Sequence, residues 1–231
     1  IIFIRYSTWL YYEFISKPLN FLKEYGMSRY RGPRVKLMRA VGVELPGLTR
    51  KSMERKPNPP GMKEGRFRKK KTEFGLQLKE KQKLRFNYGV TEKYLRKVVH
   101  EAFNSKEHSG NKILELLERR LDNVLFKAGL APTIPAARQI IGHKHVLVDG
   151  KRVNIPSYRV VPGQKITLKE KSFKIPCVAN CLEQPPIVCP PWISMDKESH
   201  TAQMITVPDR ESFSFPLEIS LIVEYYSRSV K

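Results

Sequence analysis

The chain has 231 residues and a mass of 26.9 kDa, with 41% hydrophobic and 28% charged residues. It is therefore globular rather than disordered, and long enough for one large domain or two modest ones. Its 43 Lys and Arg against 22 Asp and Glu leave a formal charge of +21, and self-repulsion at that charge argues against a free small-molecule enzyme and for a partner built of phosphates.

No run of 18 apolar residues reads as a membrane span, and no lipidation motif suggests a membrane anchor. Three cysteines are too few for a disulfide framework, and the odd number suits a reducing compartment. The charge is uneven along the chain: residues 27–100 carry a net +16, residues 101–175 a net +7 and residues 176–231 a net −3. That asymmetry points to a nucleic-acid-facing part and a protein-facing part.

Residues 1–26 are crowded with aromatic side chains, among them Phe3, Tyr6, Trp9, Tyr11, Tyr12 and Phe14. They lack the pattern of a secretory signal or a transit peptide and read as a short accessory helix. Residues 27–72 read as a basic loop that orders on its partner, punctuated by Gly32-Pro33, Pro46-Gly47 and Pro59-Pro60-Gly61. Arg66, Arg68, Lys69, Lys70 and Lys71 form its densest cationic cluster.

From Gly75 to Tyr88-Gly89 the pattern is helical, with Lys79, Lys81, Lys83 and Arg85 at every second position, so that they splay around the helix. Thr91 is the expected N-cap of a second helix, ended at Ser109-Gly110-Asn111. Ile113, Leu114, Leu117, Leu121, Val124, Leu125 and Ala128 predict one continuous amphipathic helix closed by Gly129. Thr133 is the expected N-cap of the next, which ends at Gly142. His145–Ile155 predicts two strands around an Asp149-Gly150 turn, and Val160-Val161 and Lys165–Leu168 predict further strands. Residues 113–170 thus form a compact α+β unit. The prolines at 176, 185, 186, 190, 191 and 208 predict an irregular stretch, and Leu217–Tyr226 is apolar enough for a buried strand or short helix.

Met27-Ser28-Arg29-Tyr30-Arg31-Gly32-Pro33-Arg34, residues 75–90, 116–129 and 137–160, and Leu221–Arg228 together resemble, in order, the family of the fourth small-subunit ribosomal protein, in its bacterial and plastid forms. The similarity runs from Met27 to the C-terminus. It implies an α+β architecture: a mostly helical, discontinuous domain with an inserted RNA-binding unit of two helices and a small antiparallel sheet, preceded by a basic, loop-rich N-terminal segment. The implied boundaries are 1–26 for an extension, 27–110 with 218–231 for the helical domain, and 111–217 for the insertion, with its core at 113–170.

The resemblance implies a structural rRNA-binding protein, without cofactor, that organises the 5′ domain of small-subunit rRNA during assembly. It implies a place near the mRNA entrance, contact with the fifth small-subunit protein and a role in translational accuracy. A chloroplast ribosome is the expected location, with the bacterial cytoplasm as the alternative. Folded rRNA is read through phosphates, 2′-hydroxyls and shape, which requires cations fixed on rigid elements. The residues expected to contact RNA are Arg29, Arg31, Arg34, Lys36, Lys79, Lys81, Lys83, Arg85, Tyr88, Lys93 and Arg119, with Arg138, His143, Lys144, Lys151, Arg152, Tyr158 and Arg159 on the inserted unit. Arg66, Arg68, Lys69, Lys70 and Lys71 are expected at the mRNA.

Other signals weigh less. Arg120-Leu121-Asp122 matches the core of a pseudouridine synthase motif, but no segment is left to form that enzyme's catalytic domain. A free RNA chaperone would need only the α+β unit and would leave residues 75–100 and 221–228 unexplained. Cys177, Cys181 and Cys189 have spacings that fit no zinc motif, so no metal or cofactor is expected.

Overall fold

The computed structural model describes residues 30, 32–55, 58–61, 72–196, 199–208 and 214–228, and the aromatic segment 1–26 lies outside them. In chain order the described elements are α1 (Arg34–Val41), α2 (Glu73–Tyr88), α3 (Glu92–Phe103), α4 (Ser109–Glu118), α5 (Leu121–Lys127), α6 (Ile134–Gly142), β1 (Val146–Val148), β2 (Lys151–Arg152), β3 (Lys165–Leu168), α7 (Glu170–Phe173), α8 (Pro176–Glu183), β4 (Ile193–Asp196), β5 (Thr201–Met204) and α9 (Ile219–Ser227). The architecture is α+β, with all the strands in one antiparallel sheet of order β2-β1-β3-β5-β4.

Local chemistry explains several helix ends. Thr72, Thr91 and Thr133 are extended, and their hydroxyls accept the N–H groups of Gly75, Tyr94 and Ala136 at 3.2, 3.3 and 3.3 Å. Gly89, with φ +57°, closes α2 in the left-handed conformation that glycine adopts without strain. The second helix ends at Phe103, so Ser109-Gly110-Asn111 begins α4 instead of ending α3.

Two buried clusters organise the packing. The first joins α1–α4 and α9, with Leu84, Leu95, Val98, Leu117 and Ile222 fully buried. The second joins α5, α6, the sheet and α8, with Leu121, Leu125, Ile141, Ile166 and Ala202 fully buried. The described residues within 27–72 include more than the expected loop. α1 forms there, and Met38, Val41, Leu45 and Leu48 supply enough apolar surface to bury it in the first cluster.

The predicted helix from Ile113 to Ala128 is two helices. Its apolar face divides, with Ile113, Leu114 and Leu117 entering the first cluster and Leu121, Val124 and Leu125 the second. The loop at 156–160 takes the backbone groups that a continuous helix would need. Leu121 and Asp122 donate N–H to the carbonyls of Tyr158 and Pro156 at 2.8 and 3.2 Å, and Val160 donates to Arg119 O at 2.8 Å. The same bonds replace the strand expected at Val160-Val161: Arg159 forms only an isolated antiparallel bridge with Arg120, and Val161 turns its N–H to the Gln164 side chain.

The proline-rich stretch is also more regular than its composition suggests. Pro176 occupies the first turn of α8, where no N–H is needed, and Pro190-Pro191 precede β4. β4 and β5 extend the sheet, so the α+β unit does not end at 170. Leu217–Tyr226 resolves as helix α9, which packs on α2. Tyr226 donates its hydroxyl to Glu92 at 2.9 Å, and Gln77 donates to Glu224 at 3.1 Å.

One backbone crossing ties the loop after α1 to the end of α2 and to Ile134 of α6, whose side chain packs in the first cluster. Gly47 donates to Asn87 Oδ1 at 3.0 Å and accepts the Ile134 N–H at 2.9 Å. A Cβ on Gly47 would lie 2.8 Å from Ile134 Cδ1 and 2.9 Å from the Asn87 carbonyl oxygen. Gly47→Ala is therefore expected to cost roughly 1–3 kcal/mol through overpacking, read as a lower urea midpoint with unchanged slope. An unchanged midpoint would show that the crossing is not tightly packed.

Candidate nucleic-acid interface

A cation can bind phosphate only if it is not already committed inside the protein, and the structure sorts the predicted residues on that basis. Arg29, Arg31, Arg66, Arg68, Lys69, Lys70 and Lys71 lie outside the described residues. Of the four cations on α2, two are buried by the packing of α9. Lys81 pairs with Glu92 at 3.1 Å and lies over the Tyr225 ring, while Lys83 pairs with Glu80 at 2.6 Å and donates to Pro216 O at 3.4 Å. Lys79 and Arg85 are half-buried, and Arg85 rests against Phe86.

Tyr88 is 1% exposed and donates its hydroxyl to Glu118. Burial first, and then the Glu118 carboxylate, pushes its phenol well above the ordinary value, so it remains a neutral donor. Arg119 pairs with Glu115 at 2.8 Å and donates to Val160 O, and Arg159 holds Glu101 through two bonds of 2.5 and 2.7 Å. Arg138 also has three protein acceptors. Tyr158 is tied to Gln164. Arg34 donates to Leu48 O at 3.3 Å but remains exposed, as do Lys36 and Lys93.

The remaining predicted contacts of the second cluster lie at the α6–β1 turn and the β1–β2 hairpin. His143, Lys144, Lys151 and Arg152 are all exposed. Lys144 sits at φ +64°, a left-handed position that normally favours glycine. Its N–H reaches Ile141 O at 2.9 Å and that of His145 reaches Ile140 O at 3.2 Å, closing α6 around a residue that carries a charged side chain. Lys169 N–H bonds His145 O at 2.9 Å, which brings the end of β3 beside this turn. Local desolvation, and then the charges of Arg152, Lys144 and Lys171, hold the Lys169 ammonium below its ordinary value. An anion placed among these four would relieve their mutual repulsion. Lys169 and Lys171 were not among the predicted contacts, because only the antiparallel pairing of β1 with β3 brings them here.

The outward face of the sheet has a different character. A depression of about 620 Å³ is lined by Asp149, Lys165, Thr167, Ser194, Asp196 and Thr201, with two carboxylates against one lysine, the wrong balance for phosphate. Asp122 is fully buried between Arg120 and Arg138, so it lies in no cleft a substrate could enter. Cys181 is buried, which raises its thiol, and Cys177 and Cys189 are exposed. Among the described residues, no group of three or more His, Cys, Asp or Glu is placed to hold a metal ion, and no helix is long and apolar enough to cross a membrane.

Comparison with known proteins follows the same division. Residues 29–118 match the family "Ribosomal protein S4/S9 N-terminal domain" and residues 119–166 match the "S4 domain", the two meeting at the break between α4 and α5. The chain is 51% identical over 202 residues to small ribosomal subunit protein uS4 of Methylobacillus flagellatus, covering 87% of this chain and 98% of the relative. It is 48% identical to protein uS4B of Nitrosomonas europaea, with the same coverage. It is 45% identical to uS4 of a Synechococcus species over 205 residues, 88% of this chain and all of the relative. The chain therefore belongs to the small ribosomal subunit protein uS4 family, whose members are structural ribosomal proteins and not enzymes.

Proposed function

We propose that the protein is a structural constituent of the small ribosomal subunit that binds rRNA directly, in the 5′ domain, early in assembly. The observation that carries this reading is the convergence of Lys144, Arg152, Lys169 and Lys171 in a chain that matches uS4 relatives over nearly their whole length. Cations on rigid backbone turns suit A-form RNA, whose deep major groove excludes side chains and leaves phosphates and 2′-hydroxyls to be recognised.

Exposed Lys36 and Lys93, with half-buried Lys79 and Arg85, form the matching surface of the first cluster. The basic run at 66–71 is assigned to mRNA at its entrance, and the acidic C-terminal part to neighbouring ribosomal proteins including the fifth, contacts through which the protein would influence accuracy. The helical domain is assigned to α1–α4 with α9, and the insertion to the segment from α5 to β5. Cyanobacterial relatives at 45–46% identity support a plastid ribosome, whereas the 51% and 48% relatives leave a bacterial cytoplasmic ribosome as the alternative.

Two variants test the interface. Lys144→Glu/Arg152→Glu/Lys169→Glu is expected to weaken binding to the 5′ domain at least about tenfold and to reduce the slope of log K against log salt by about 2–3. Unchanged affinity and slope would remove these residues from the interface. Lys144→Gly relieves the left-handed strain, so thermal stability is expected to rise by up to about 1 kcal/mol while the salt slope falls by about one. A lower stability would show that Lys144 is held by contacts other than its turn.

A further inference from the structure

The internal ion pairs concentrate at the seam between the two clusters. Arg138, on α6, donates from Nε to Asp122 Oδ2 at 2.7 Å, from Nη1 to Gly89 O at 2.6 Å and from Nη2 to Tyr88 O at 2.6 Å. It therefore caps the C-terminal carbonyls of α2 from the opposite cluster. Asp122 is held on its other side by Arg120 through bonds of 3.1 and 3.0 Å, and the Arg120 guanidinium lies 4.6 Å from the centre of the Tyr94 ring on α3. Glu118 accepts from Tyr88 of α2 and pairs with Lys127 of α5 at 3.0 Å.

A seam of well-packed apolar side chains would hold two clusters together at least as well, because burying charges carries a large desolvation cost. Directional bonds do something that apolar contact does not: they admit one orientation. We propose that Arg138 is a positioning residue that sets the angle between the cation-bearing surface of α2–α3 and that of the α6–β1 turn, so that both engage a single folded RNA at once. The proposal rests on the RNA-binding reading above. Simultaneous engagement makes the second contact intramolecular and multiplies affinity without any new contact. Arg138 would thus support RNA binding without touching RNA.

The test uses the full chain with Arg138→Lys, which keeps a cation near Asp122 but cannot span both carbonyls. Spin labels at exposed Ser220 on α9 and Ser194 on β4, in a background with the three cysteines replaced, report the distance between the clusters. The expected result is a broadened distance distribution, affinity for the 5′ domain lowered at least about tenfold, a shallower salt slope and unchanged affinity for a short hairpin that fills one surface. A broadened distribution with full affinity for the 5′ domain would overturn the proposal. So would weakened binding with an unchanged distribution, or an equal loss on the short hairpin, since either would make Arg138 a direct contact. If Arg138→Lys does not fold, Asp122→Asn takes its place, and failure of both to fold would make the cluster a folding requirement and overturn the positioning role. If the wild-type chain does not prefer the 5′ domain to an unrelated RNA, the RNA-binding reading fails, while the label distances still report on the clamp.

Discussion

Two carboxylates buried at the break between α4 and α5, Glu118 and Asp122, determine how so cationic a chain folds compactly. Between them they engage Arg120, Lys127 and Arg138, and they are 1% and 0% exposed. Removing one partner from such a cluster typically costs about 3–5 kcal/mol, because the charge left behind is buried without compensation. The break itself depends on these residues: Asp122 stands in the first turn of α5, and its carboxylate accepts the Asn123 N–H at 3.0 Å. The helix that would have continued through 119–120 gives way to a junction where backbone bonds from the 156–160 loop and side-chain bonds from α6 meet.

This junction divides the cations into two populations. Lys81, Lys83, Arg119, Arg120, Lys127, Arg138 and Arg159 face carboxylates of the protein itself, and Lys81, Lys127 and Arg138 tie one helix to another. Lys144, Lys151, Arg152 and Lys171 stay exposed, and among the described residues none of them stands in an ion pair of the kind that holds the first population. The excess of positive charge is therefore both an obstacle to folding and the source of function. The internal population is neutralised by the chain, and the external one is left to a polyanion. The polar, mixed-charge face of the sheet on the other side of β3 and β5 belongs to neither population.

Much of the fold was legible because it follows from local rules. The threonine caps at 91 and 133, the glycine stop at 89 and the Asp149-Gly150 hairpin are each set by a few neighbouring residues. What could not be read depended on long-range competition. Periodicity carried one apolar stripe from Ile113 to Ala128, and nothing local announces that Tyr158 and Pro156 will take the N–H groups of Leu121 and Asp122. The proline count pointed to an irregular stretch where β4 and β5 form, because proline limits the residues beside it and leaves those between free to pair. At the interface the residue types were right in kind. Sequence does not show which side chains have internal partners, so Tyr88, Arg138 and Arg159 stand there beside Lys144 and Arg152 as equals, and Lys169 and Lys171 are missed.

The central claim, that the cations left exposed read a particular folded RNA and do not merely attract negative charge, is tested most directly by binding across a salt series. The wild-type chain would be measured against the 5′ domain of small-subunit rRNA and an unrelated structured RNA of equal length. Counterion release weakens both along a steep log–log line, but it cannot by itself separate them. The account predicts that affinity for the 5′ domain stays well above the control at every salt concentration. Curves that coincide throughout would contradict it and leave the protein, in isolation, a generic polycation.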